Sequence, residues 1–116
     1  MGDRITQRDL EQLVRVINVR VNGDPCSDLW QRDAGGDLSA RVGAFYIDGA
    51  YGGVTLYRMV SPGGGVSDVL GCGHVPKRDL YGRLQAFYRG LEVAGEDLLH
   101  YNSGIGSGAV HRRVRP

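Results

Sequence analysis

Apolar residues near the start of the chain recur at helical spacing. Leu10, Leu13, Val14, Ile17 and Val21 follow the i, i+3, i+4, i+7, i+11 rhythm of one buried stripe. Thr6 stands ahead of the stripe as a cap, with Asp9 three residues on in the manner of a capping box. Ile5 and Leu10 are spaced as a hydrophobic staple. Asn22-Gly23, with Pro25 beyond, supplies the stop. The pattern predicts a helix over residues 6–20.

Beyond it the period shortens. Leu29-Trp30-Gln31-Arg32 is a short strand candidate, followed by the turn signal Asp33-Ala34-Gly35-Gly36. Leu38 to Asp48 reads as one longer strand, with Leu38, Ala40, Val42, Ala44 and Tyr46 on one face and Ser39, Arg41 and Gly43 on the other. Phe45 and Ile47 break the polar character of that second face. Gly49-Ala50-Tyr51-Gly52-Gly53 is a hairpin loop, Val54 to Val60 a third strand, Ser61-Pro62-Gly63-Gly64-Gly65 a turn, and Val66 to Leu70 a short fourth strand. Pro76 then takes the first position of a second helix, on which Leu80, Leu84, Phe87 and Leu91 form a stripe flanked by Tyr81 and Tyr88.

After Gly95 the character changes. Glu96 to Tyr101 either extends the helix or forms a short one, Asn102 to Gly108 is a Gly/Ser linker, and His111-Arg112-Arg113-Val114-Arg115 is a basic end. The expectation is an α+β fold: an antiparallel three- to four-stranded β-meander with an N-terminal and a C-terminal helix packed on one face. It forms a single domain over residues 5–95, followed by a C-terminal extension over 96–116. The other sheet face, carrying Tyr46, Tyr51 and Tyr57, is left partly open.

Composition sharpens this. The chain has 116 residues, one domain's worth, and 19 of them are glycine, well above the usual share of about 7%. They cluster between apolar runs, where glycine serves turns. A formal charge of +1 gives a weak overall field, unlike that of a dedicated nucleic-acid binder. No apolar run is long enough for a membrane span, and MGDRITQRDL lacks the apolar core of an export signal, so the expected compartment is a cytoplasm. Cys26 and Cys72 are too few and too far apart for a disulfide framework, and reduced thiols are expected.

Candidate chemistry is sparse. Cys72-Gly73-His74 invites a metal reading with Cys26 or Asp68 as further ligands, but it is one isolated Cys-x-His, without the paired ligand spacing of a zinc site. As nucleophile and base, Cys72 and His74 would need a positive surround that only Lys77 and Arg78 offer. There is no G-x-S-x-G, and neither GAYGGVT nor SPGGGVS ends in the Gly-Lys-Ser/Thr of a phosphate loop. Neither a catalytic set, a metal nor a cofactor is expected. The aromatic residues offer stacking surfaces. Lys77, Arg78, Arg83 and Arg89, with Arg112 and Arg113 of the tail, are the cations available for a basic patch. Lys77 and Arg78 at a helix start oppose the macrodipole, which favours anions there.

Two resemblances follow. VGAFYIDGAYGGVTLYRM, GGGVSDVLGCGHVPKRDLY and LQAFYRGLE, together with the opening ITQRDLEQLVRVIN, resemble a family of small, mostly uncharacterised proteins encoded by actinobacteriophages, mycobacteriophages above all. The resemblance covers about three-quarters of the chain. It implies a phage accessory protein in a host bacterial cytoplasm and supplies no mechanism. The order helix, strands, helix with Lys77 and Arg78 at the second helix start also resembles the topology of a double-stranded-RNA-binding domain, although that family's glycine-proline-histidine loop is missing. The leading expectation is a non-enzymatic binding module for a host or phage protein, acting through Tyr46, Tyr51 and Tyr57 and self-associating or joining an assembly. The alternative is nucleic-acid binding through Lys77, Arg78, Arg83, Arg112 and Arg113.

Overall fold

The computed structural model describes residues 4–104, with side chains as far as Gly95. The fold is α+β: helix α1 (Gln7–Asn22), strands β1 (Trp30–Arg32), β2 (Leu38–Ala40), β3 (Phe45–Ala50), β4 (Gly53–Met59) and β5 (Val66–Asp68), and helix α2 (Lys77–Gly104). β3, β4 and β5 form an antiparallel meander in that order, and β1 and β2 form a separate antiparallel ribbon. One compact unit ends at Gln85 and a second begins at Ala86. The first contains α1, all five strands and the opening turns of α2. The second contains the rest of α2, whose backbone is helical to Gly104. No helix among the described residues is long and apolar enough to cross a membrane.

α1 begins and ends as its sequence dictates. Asp9 N–H donates to Thr6 Oγ1 at 3.2 Å and Thr6 N–H donates to Asp9 Oδ2 at 2.8 Å, a reciprocal capping box. Gly23, in the left-handed region, closes the helix by donating to the Val19 carbonyl. Leu10, Val14 and Ile17 are buried, as are Leu56 of β4 and Leu80 and Leu84 of α2. Each fully buried leucine or isoleucine contributes roughly 1.5–3 kcal/mol. The stripe departs from expectation at its end. Val21 is exposed, and the buried position in the last turns belongs to Asn18.

Asn18 is buried because it works as a strand. Its Nδ2 donates to the Phe45 carbonyl at 3.0 Å, and its Oδ1 accepts from Phe45 N–H at 2.9 Å. Asn22 continues the edge by donating to the Gly43 carbonyl at 2.9 Å. At Phe45, its first residue, the edge of β3 away from β4 is thereby closed by a side-chain amide, which satisfies backbone groups that would otherwise template another chain.

The single strand expected over residues 38–48 is two strands. Gly43, at φ +98°, sits in a tight turn closed by Ala44 N–H to the Arg41 carbonyl. Gly43 N–H donates to the Met59 carbonyl and Met59 N–H donates to the Ala44 carbonyl, so Gly43 and Ala44 both oppose Met59. This is a β-bulge with its glycine in the left-handed region. Arg58 holds it, with Nε on the Gly43 carbonyl at 3.0 Å and the guanidinium 4.6 Å from the Phe45 ring centroid. The extra residue inverts the alternation beyond it. Phe45 is buried with Val54 and Leu56, and Tyr46 turns to the opposite face from the one its phase with Leu38 and Ala40 predicts.

Candidate functional site

The register places Tyr46, Asp48, Thr55, Tyr57 and Asp68 on one face of the three-stranded sheet, opposite the face that carries Phe45, Val54 and Leu56. Tyr46 lies directly across from Tyr57, and Tyr57 directly across from Asp68. Asp48 lies across from Thr55.

The turn between β3 and β4 extends this face. It has only two central residues, Tyr51 at φ +54° and Gly52 at φ +75°, the paired left-handed conformations that match hairpin twist. Glycine or asparagine ordinarily fills the first position. Tyr51 fills it here and is 94% exposed.

The segment after β5 folds back to complete the site. Asp68 organises it: Oδ1 accepts from Gly71 N–H at 3.1 Å and Oδ2 from Gly73 N–H at 3.0 Å, while Thr55 Oγ1 lies 3.4 Å from Oδ1. Val75 then exchanges both backbone bonds with Val54, at 2.8 and 2.9 Å. Gly53 makes this return path available, because a Cβ there would stand 2.9 Å from the Val75 carbonyl oxygen. The result sets His74 over the sheet. Its Nε2 is 2.9 Å from Asp48 Oδ2, and since an ionised carboxylate only accepts, Nε2 is the donor.

The rings meet in sequence across the face. Tyr46 and Tyr57 are edge-to-face at 5.9 Å between centroids, Tyr57 and His74 at 6.1 Å, and His74 and Tyr51 at 5.5 Å, with interplanar angles of 74°, 82° and 75°. Such pairs add about 0.5–1.5 kcal/mol beyond area burial. Tyr46 and Tyr57 are half-buried. Burial raises the Tyr46 phenol above its ordinary value, and the charge of Asp48 and the neighbouring Tyr57 raise it further.

Other sequence candidates fall elsewhere. Cys72 Sγ points to the Gly73 carbonyl at 3.4 Å, while His74 Nε2 is taken by Asp48, so these bonds of the pair run to different partners. Both cysteines are free, Cys26 buried and Cys72 half-buried. Among the described residues no three His, Cys, Asp or Glu side chains converge as a metal set. Lys77, Arg78 and Arg83 are exposed on the opening turns of α2, where Arg83 Nε donates to Asp79 Oδ1 at 2.9 Å. Arg112 and Arg113 lie outside the described residues.

The sequence singled out the three tyrosines, and it offered His74 and Asp68 only beside Cys72 as ligand candidates; Asp48 and Thr55 were missed. Asp48 was within reach, since it alternates with Tyr46 along one strand. The pairing of His74 with Asp48 spans 26 residues and has no local signature. The chain matches no protein-family model, no curated protein and no solved structure.

Proposed function

We propose that the protein is a binding module that recognises another protein through the face formed by Tyr46, Tyr57, His74 and Tyr51. The observation that carries this reading is Tyr51, a large aromatic side chain 94% exposed at a backbone conformation that disfavours it. Aromatic residues anchor interfaces because they supply large rigid contact area with a polar tip. The resemblance to actinobacteriophage accessory proteins supports a host or phage protein in a bacterial cytoplasm as the partner, a second copy of the chain included. Nucleic-acid binding through Lys77, Arg78 and Arg83 has less support, because Asp79 is paired with Arg83 inside that cluster.

The test is a photo-cross-linking amino acid installed at position 51 and, separately, at exposed Val16 on α1, in cells where the protein is active. The reading predicts a discrete adduct from position 51 that is lost when Tyr46 and Tyr57 become alanine. Adducts from position 16 with none from position 51 would contradict it.

A further inference from the structure

We infer that this face takes a cationic side chain, an arginine or lysine presented by a basic segment of a partner protein. The inference rests on the reading of the face as a recognition surface and specifies its ligand chemistry. None of the strand residues on this face is a lysine or arginine, and Thr55 and Met59 among them are buried, which leaves Tyr46, Asp48 and Tyr57 as its accessible centre. Tyr46, Tyr57, His74 and Tyr51 meet edge to face in succession, at interplanar angles of 74°, 82° and 75°, so aromatic surface runs across the face. Ring faces carry the negative part of the aromatic quadrupole and attract ammonium and guanidinium groups.

Two carboxylates, Asp48 and Asp68, share this face with the tyrosines. Asp68 is committed to Gly71, Gly73 and Thr55, so its role is to hold the loop. Asp48 accepts from His74 on Oδ2 and keeps 37% of its side chain exposed. An arginine or lysine laid against the outer surface of these rings meets that carboxylate with complementary charge. A phosphate would meet the same carboxylate with the wrong sign, which separates this face from the basic start of α2. The neighbouring His74 fixes the Asp48 side chain through its hydrogen bond, so the site is held ready before any ligand arrives.

The test is an NMR titration of the full chain, observing the rings of Tyr46, Tyr51, Tyr57 and His74. The probes are three short acetylated peptides in which serine alternates with arginine, glutamate or norleucine. The arginine peptide is expected to shift all four rings, and the other two to leave them in place. Asp48→Asn and Tyr51→Asn are each expected to weaken the arginine peptide by about five-fold. The second variant leaves the Asp48–His74 bond intact and so serves if the first disturbs the fold.

Equal shifts from the norleucine peptide would overturn the inference while leaving the recognition face standing. No ring movement with any peptide would also overturn it, and the cross-link at position 51 would then decide separately whether the face binds protein. Binding that emerges only when Arg112, Arg113 and Arg115 are changed to serine would assign the face to the chain's own basic end, against a partner segment.

Discussion

His74 Nε2 lies 2.9 Å from Asp48 Oδ2, and this one bond fastens the segment after β5 to the far strand of the sheet. A hydrogen bond to a charged group contributes about 1.5–3 kcal/mol when sheltered, and the 37% exposure of Asp48 brings the expected coupling to about 1 kcal/mol. A double-mutant cycle of His74→Ala and Asp48→Ala, read by urea unfolding, is expected to return that coupling. Strictly additive losses would show that the two side chains act independently.

Tyr51 is held against its backbone preference, since a left-handed non-glycine residue is disfavoured by roughly 1–2 kcal/mol. Tyr51→Asn is therefore expected to raise stability by about 0.5–1 kcal/mol, asparagine tolerating this region better. The same change is expected to remove the cross-linked partner. A gain in stability with loss of binding would be the trade expected where an unfavourable residue is kept for function.

Gly53 has a different reason to be glycine. Its φ is not left-handed, but a Cβ would press to 2.9 Å on the Val75 backbone. Gly53→Ala is expected to destabilise by about 1–3 kcal/mol through overpacking. It should also lift His74 away from Asp48, visible as altered ring shifts of His74, Tyr57 and Tyr51. Unchanged stability and shifts would mean that the return strand slides freely.

Asn18→Ala removes both side-chain bonds to Phe45 and leaves that residue's N–H and carbonyl without them. A loss of about 2–3 kcal/mol is expected from denaturant unfolding. The uncovered edge of β3 should also promote self-association, measured by light scattering. Asn18→Asp tests the donor separately, because it retains an acceptor for Phe45 N–H and loses the donor to the Phe45 carbonyl.

The Tyr46 phenol titrates above its ordinary value of 10.0 because burial, then Asp48, then Tyr57 disfavour the phenolate. Folding therefore favours the protonated form, and the sign follows from that. The contribution is fully present below the ordinary phenol value and is lost as pH rises through the folded value. Phenolate absorbance should show one late-titrating tyrosine that disappears in Tyr46→Phe, whose unfolding should also be less sensitive to alkaline pH.

Much of this fold is legible in the sequence because its signals are local. Thr6 with Asp9, and Asn22 with Gly23, mark the ends of α1 within a residue or two, and the glycines around Tyr51 mark the hairpin. What escaped depends on contacts between distant segments. Gly43 looks like any strand glycine until Met59 stands opposite it, and the resulting bulge reverses which of Phe45 and Tyr46 enters the core. Asn18 looks like a polar interruption of an apolar stripe until the Phe45 backbone comes alongside. The hydrogen bond of His74 runs to a residue 26 positions earlier, a pairing that nothing near His74 in the sequence announces. Tyr51 was legible from its place between the hairpin glycines, whereas alternation from Leu38 assigns Tyr46 the wrong face and only the bulge at Gly43 brings it opposite Tyr57.

The most direct test of the central claim is a pair of binding isotherms for the protein cross-linked through position 51, a second copy of the chain included. One isotherm uses Tyr51→Asn and the other Lys77→Glu, both exposed positions on different elements. Recognition through the sheet face predicts a loss of about ten-fold or more for Tyr51→Asn and a change within about two-fold for Lys77→Glu. A large loss for Lys77→Glu with Tyr51→Asn unaffected would contradict it and move recognition to the start of α2.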